Sequence, residues 1–268
     1  MSRFTHLHTH SHYSLLTALP KLDDLVKTAK KYGLKSLALT DNGNLYGAIE
    51  FYKACQKAEI KPILGVDFYV AVRSRKDMQA GIDNRRTRLV VLAYNNTGYK
   101  NLIKLVTDSH LEGFYYKPRI DKELIEKYHE GLIAISPSFS GEIVGALKSR
   151  NQDKAVEKAN YYKKIFTPII NENGEKVLDR FFIEVTKHPE IDGHEENMQT
   201  LIDFAKQEEI PIMAAHDVYY LLPEDRFARE TLVRVNSHSD SSEKISDSDE
   251  DDFSFISPQK AEELFKDI

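Results

Sequence analysis

Cysteine is nearly absent: Cys55 is the only one in 268 residues. A single thiol closes no internal disulfide and excludes the cysteine clusters of structural zinc sites, so any metal would rest on His, Asp and Glu. A surplus of one charge sign is also missing. The 37 basic and 42 acidic side chains leave −5, which gives no global attraction for nucleic acid, so such binding would need a local basic patch. No run approaches the ~18 consecutive apolar residues of a membrane span. The opening MSRFTHLHTH lacks the apolar core of a signal peptide. A cytoplasmic chain with no membrane contact is the expectation. What is present is material for a real core, with 41% hydrophobic residues over a length that suits one α/β barrel or two smaller domains.

Short apolar runs alternate with stretches of helical spacing along the whole chain. Seven runs read as strands: Phe4 to His10, SLALT from Ser36, ILGVDFYVAV, LVVLAY, LIAIS, FFIEV from Phe181 and PIMAAHD. Between them, Leu22, Leu25, Val26 and Ala29 share one helical face that stops at Gly33, and Met198, Leu201, Ile202 and Ala205 share another. Further helices are expected at about 47–58, 99–110, 121–128, 153–166 and 258–265. TPIINENGEKVLDR, before FFIEV, reads as a hairpin-like excursion. This βα rhythm implies parallel strands with right-handed crossovers. No glycine-rich dinucleotide fingerprint follows any strand, which favours a barrel over an open doubly wound sheet.

In α/β barrels the chemistry sits where strands end, and the polar residues there are numerous. His8, His10 and His12 stand at and after the end of the first run, Asp41 and Asn42 follow the second, and Asp67 lies in the third. Ser136 and Ser138, Lys187 and His188, and His216 and Asp217 follow the last three. His and carboxylate ligands could hold divalent ions that acidify water for phosphoester hydrolysis. Alternate histidines such as His8 and His10 face the same way in an extended chain. A histidine on a strand is equally at home as a hydrogen-bonded core residue, and Asp41 in TDNGN suits a turn.

The stretches LHTHSHYSLL, ALTDNGNLYGAIEFYKAC, IKPILGVDFYV, NNTGYKNLIKLV, EGFYYKPRIDKELIEKYHEGLIAIS and HDVYYLLPEDRFARE resemble the polymerase and histidinol phosphatase (PHP) family, in the form attached to bacterial replicative DNA polymerases. The resemblance covers residues 4 to 268 and implies an α/β fold, a distorted seven-stranded (β/α) barrel. It also implies a cluster of three divalent ions for phosphoesterase or 3′–5′ proofreading chemistry in the members that bind metal. His8 and His10 match the family's His-x-His, Asp67 stands at an acidic ligand position, and Asp217 matches the Asp of a final Asp-x-His. The other ligand positions depart, carrying Thr17, Asn42, Arg88, Ser138 and Tyr219. Neutral oxygens of Thr, Asn and Ser ligate weakly, Tyr ionises near ~10, and Arg stays protonated and cannot ligate.

The vestigial set His8, His10, Asp67 and Asp217 could hold one ion at most, so no cofactor is expected beyond weak Zn or Mn at His8 and His10. His216 and His188, outside the family pattern, could compensate in part. Arg88 is expected to pair with Asp67 or Asp217. The resemblance thus implies a scaffold and binding domain in DNA replication with a degenerate metal site and no catalytic residues of its own. The alternative is a metal-dependent phosphoesterase or 3′–5′ exonuclease. Implied partners are the remaining polymerase domains of the same polypeptide, through them DNA, and a separate proofreading exonuclease subunit. The expected organisation is a barrel over 1–235, an acidic polar linker over 236–254, and a terminal helix within 255–268.

Overall fold

The computed structural model of the protein describes residues 4–237 and 252–268. The acidic linker read from the sequence falls largely outside them. Its first residues, Asn236 and Ser237, close a helix. Among the described residues no helix is long and apolar enough to cross a membrane.

The elements run α1 (Leu22–Lys31), β1 (Ser36–Leu39), α2 (Ala48–Ala58), β2 (Lys61–Ala71), β3 (Arg86–Ala93), α3 (Asn96–Leu111), β4 (Phe114–Tyr115), β5 (Lys117–Ile120), α4 (Lys122–Tyr128) and β6 (Leu132–Ser136). They continue through α5 (Glu142–Lys148), α6 (Gln152–Ile165), β7 (Ile169–Ile170), β8 (Lys176–Leu178), β9 (Phe181–Val185), α7 (His194–Gln207), β10 (Ile212–Ala214), α8 (Arg226–Ser237) and α9 (Pro258–Leu264). The α/β class read from the alternation is the one found. The chain divides into two compact units. The first comprises Met1–Val66, Thr186–His194 and Ala215–Ile268, and the second comprises Asp67–Val185 and Glu195–Ala214.

In the first unit, β1 pairs in parallel with the opening half of β2, Ser36 opposite Lys61. The apolar stripe of α1 is fully committed: Leu22, Leu25, Val26 and Ala29 pack with Leu37, Phe51 and Cys55 in one core. Asp23 and Asp24 in its first turn and Lys30 and Lys31 in its last complement the helix dipole. Burial pushes the Cys55 thiol up to about 12, so it serves as a small apolar side chain.

In the second unit the strand order is β10-β9-β6-β3-β2-β5-β4. The pairs β10–β9, β6–β9 and β2–β5 are parallel, while β3–β6 and β4–β5 are antiparallel. Uniform parallel pairing therefore fails at β3. The link from β2 to β3 contains no helix, so β3 does not complete a βαβ unit and the crossover rule does not govern its direction. At the start of α3, Asn95 accepts a hydrogen bond from the Gly98 amide at 2.9 Å. A Cβ on Gly98 would meet the Gly131 carbonyl oxygen at 1.8 Å, so only glycine fits this approach.

One further sequence expectation needs correction. The first run, Phe4 to His10, forms no strand, only an isolated bridge from Thr9 to Val218. The Thr9 amide donates to the Thr40 side-chain oxygen at 2.8 Å, and a hydroxyl in place of a carbonyl interrupts the ladder. TPIINENGEKVLDR is the excursion expected, and β7 and β8 pair antiparallel within it. The short β4–β5 hairpin and helices α5 and α8 were not anticipated.

Candidate metal centre

The histidines of the first segment fall into two kinds. His6, 1% exposed, pairs its Nε2 with the Ile256 carbonyl at 2.9 Å, and burial pushes its pKa down to about 4, so it is a neutral core residue. His12 pairs Nδ1 with the Pro20 carbonyl at 3.3 Å. His8 and His10 differ. His8 Nδ1 lies 2.9 Å from Asp217 Oδ1, and His10 Nδ1 lies 3.2 Å from the Val218 carbonyl. Both partners can only accept, so each Nδ1 carries a proton, and Nε2 is the nitrogen that a neutral ring would offer as a ligand. The two rings are 5.0 Å apart. Asp217 is 5% exposed. Burial, the largest single effect, would raise its carboxyl, but the charge and hydrogen bond of His8 together with His10 and His188 outweigh it and hold the carboxyl down at about 2.

The departed positions of this unit bond to one another. Asn42 Nδ2 donates to Thr17 Oγ1 at 3.0 Å, and Thr17 Oγ1 donates to the Ser14 carbonyl at 2.9 Å. Tyr219 stacks on His10 at 4.3 Å with an interplanar angle of 12°. The Arg229 guanidinium lies 4.3 Å from the Tyr219 ring centroid. Asp41 accepts from the Ser11 amide, the Ser11 hydroxyl and the Ser14 hydroxyl at 2.7, 2.8 and 2.6 Å, long-range bonds in place of the local turn bond that the sequence suggested. His216 and His188 stack 5.1 Å apart. His216 is 2% exposed and neither of its ring nitrogens has a hydrogen-bond partner among the described residues. Burial, with His188 and His6 beside it, lowers its pKa to about 3.

In the second unit Asp67, on β2, and Arg88, on β3, form a two-pronged ion pair. Arg88 Nε donates to Asp67 Oδ1 at 3.0 Å and Nη2 donates to Oδ2. The expected pairing of Arg88 is thus with Asp67. The guanidinium also lies 4.2 Å from the Tyr69 ring centroid. Ser138 donates to Glu184 Oε1 from both its amide and its hydroxyl, each at 3.1 Å. Glu184 was missed by sequence reasoning, although an acid inside the apolar run FFIEV carries the signal of a functional buried carboxylate. Arg229 was missed as well, because nothing local marks it as the neighbour of Tyr219.

The family described as "PHP domain" matches residues 6–188. The DNA polymerase III subunit alpha of Borreliella burgdorferi is 38% identical over 269 residues, covering 100% of this chain and 22% of that protein. That of Treponema pallidum is 39% identical over 241 residues, covering 90% and 20%. The chain therefore spans about a fifth of the length of these curated relatives. An amidohydrolase structure from Chromobacterium violaceum superposes with a TM-score of 0.46 at 12% identity, over 80% of this chain and 87% of that one.

Proposed function

The chain belongs to the PHP family, and from that membership we propose that it is the PHP domain of a bacterial DNA polymerase III alpha subunit, a scaffold and binding domain with no hydrolytic activity of its own. The observation that carries the reading is the Arg88–Asp67 pair. A fixed guanidinium neutralises the carboxylate at an acidic ligand position, adds a positive charge where cations would have to gather, and cannot itself ligate. Thr17, Asn42 and Ser138 offer only neutral side chains, and Thr17 Oγ1, Asn42 Nδ2 and Ser138 Oγ already donate to protein partners. This donor set does not fit a cluster of three divalent ions, and no chemistry is derived through one. A single Zn or Mn at His8 and His10 remains compatible with their tautomers, and that observation favours the second reading, a metal-dependent phosphoesterase or 3′–5′ exonuclease.

On the first reading the domain works in the cytoplasm as part of a longer polymerase, contacts its remaining domains, reaches DNA through them and offers a face to a separate proofreading exonuclease. The test takes protein purified without a histidine tag, measures bound metal by mass spectrometry, and assays a 3′-labelled single-stranded oligonucleotide with zinc, manganese or magnesium. We expect no multi-ion occupancy and no cleavage. Metal-dependent cleavage that disappears in the combined His8→Ala, His10→Ala, Asp217→Ala variant would establish the enzyme instead.

A further inference from the structure

The second unit contains a feature that takes no part in the metal site. The β4–β5 hairpin is joined by a single residue, Tyr116, between the paired Tyr115 and Lys117. Its φ is +61°, a region where glycine is the residue of least cost and an aromatic side chain is uncommon. Tyr116 is also 57% exposed, and Phe114 beside it 54%. A strained backbone carrying an exposed aromatic calls for an explanation in function rather than in stability.

The hairpin is mounted rigidly. Arg119, wholly buried, donates to the carbonyls of Gly113, Asp83, Arg75 and Asp77, and its guanidinium lies 5.3 Å from the Tyr115 ring centroid. Tyr115 in turn meets the Tyr116 ring edge-on at 4.7 Å. Basic side chains gather alongside. Arg86, Arg88 and Lys117 lie 5.3, 4.2 and 5.9 Å from the Tyr69 ring centroid. The stretches NRRTR (84–88) and FYYKPR (114–119) contain five basic residues and no acidic one, against the negative balance of the chain. Nearby carboxylates are engaged elsewhere: Asp67 with Arg88, Asp83 with Arg73, and Asp121 and Glu112 with Arg75.

We infer that the β4–β5 hairpin, with Arg86 and Lys117 beside it, is a binding surface for single-stranded nucleic acid, its bases stacking on Tyr116 and Phe114 and its phosphates meeting the two cations. Exposed aromatics interleaved with basic residues on a rigid mount are what a strand with unpaired bases requires, since every base has a face to stack and every linkage a negative charge. A duplex hides its base faces and would gain only the electrostatic part. The hairpin's own geometry supports this role whether or not the polymerase reading holds.

Fluorescence anisotropy with labelled oligothymidylate tests it on the 268-residue chain, with circular dichroism and thermal unfolding as fold controls. Tyr116→Gly is the informative change, because it relieves the backbone while removing the ring. The expected result is an unchanged or raised unfolding midpoint with binding weakened about tenfold. The combined Arg86→Gln, Lys117→Gln variant should lower the slope of log affinity against log salt by about 1.4, the value for two phosphates of a single strand. The inference is overturned if the parent does not bind, if Tyr116→Gly binds as well as the parent, or if duplex binds as tightly as the single strand. The first of these outcomes would leave the face to a protein partner.

Discussion

The two units neutralise their buried carboxylates by different chemistry. In the second unit the partners are mostly arginines, Arg88 for Asp67, Arg73 for Asp83 and Arg75 for Asp121, with Ser138 donating to Glu184 as the exception. In the first they are imidazoles and hydroxyls: His8 for Asp217, His188 for Glu190, and Ser11 and Ser14 for Asp41. A guanidinium is charged at every working pH and occupies its carboxylate in place of a metal. Imidazoles and hydroxyls leave lone pairs in play and respond to protons. Two routes therefore lead away from a multi-ion centre, one that closes it with a fixed cation and one that thins its donors while leaving His8 and His10 in ligand tautomers.

Removing a fixed cation from its buried partner should have the largest effect. Asp67 is 2% exposed, and Arg88→Ala would leave its charge uncompensated, at a cost of about 3–5 kcal/mol in denaturant unfolding. Adding Asp67→Asn to that variant should recover much of the loss, because the penalty belongs to the stranded charge. A loss below about 1 kcal/mol would mean that the pair behaves like a surface ion pair and that the contrast between the units is not energetic.

The counterpart in the first unit is Asp41, which gathers three donors from Ser11 and Ser14. Burial raises its carboxyl against those hydrogen bonds, so the site values the acceptor oxygens more than the charge. Asp41→Ala strands the donors and should cost about 2 kcal/mol, whereas Asp41→Asn, which keeps an acceptor, should cost less than half as much. Equal losses for the two substitutions would show that Asp41 is held by charge after all, and would erase the distinction from the arginine-paired acids.

How far these sites could be read from the sequence depended on whether their partners were local. The strands β1, β2, β3, β6, β9 and β10 showed as apolar runs because both periodicity and composition are local properties. Helix α8 did not, since RFARETLVRV is charged and buries little beyond Val233 and Asn236. The two-residue strand β4 is too short to carry a period. The candidate site divides the same way. His8 and His10 declare themselves by their spacing, and Arg88 by its chemical misfit with the family's ligands. The pairing of Ser138 with Glu184 joins residues 46 apart in sequence, and only tertiary structure brings them together.

The smallest effect expected is one of pH, and it separates the units most cleanly. Glu190 is partly buried, which by itself would raise its carboxyl, but the hydrogen bond from His188 at 3.2 Å and the Asp252 amide at 3.0 Å outweigh burial and hold it down at about 2 from an ordinary 4.5. A carboxylate depressed in the folded state binds fewer protons than in the unfolded chain. Its stabilising contribution is therefore complete above pH 4.5 and disappears as pH falls from there through about 2. His188→Ala removes the side-chain part of that depression, so the variant should lose stability above pH 4.5 and converge on the parent as pH falls toward about 2, which flattens the acid limb of the stability curve. The loss should be less than about 1 kcal/mol, because the Glu190 side chain still touches solvent and is screened. Arg73→Gln in the second unit serves as the control. It also releases a depressed carboxylate, Asp83, but strands a buried charge, and should cost more stability at neutral pH than His188→Ala does. If His188→Ala lowered stability equally at neutral and acid pH, its contribution would be packing against His216 and Phe253, and the imidazole unit would be no more responsive to protons than the arginine one.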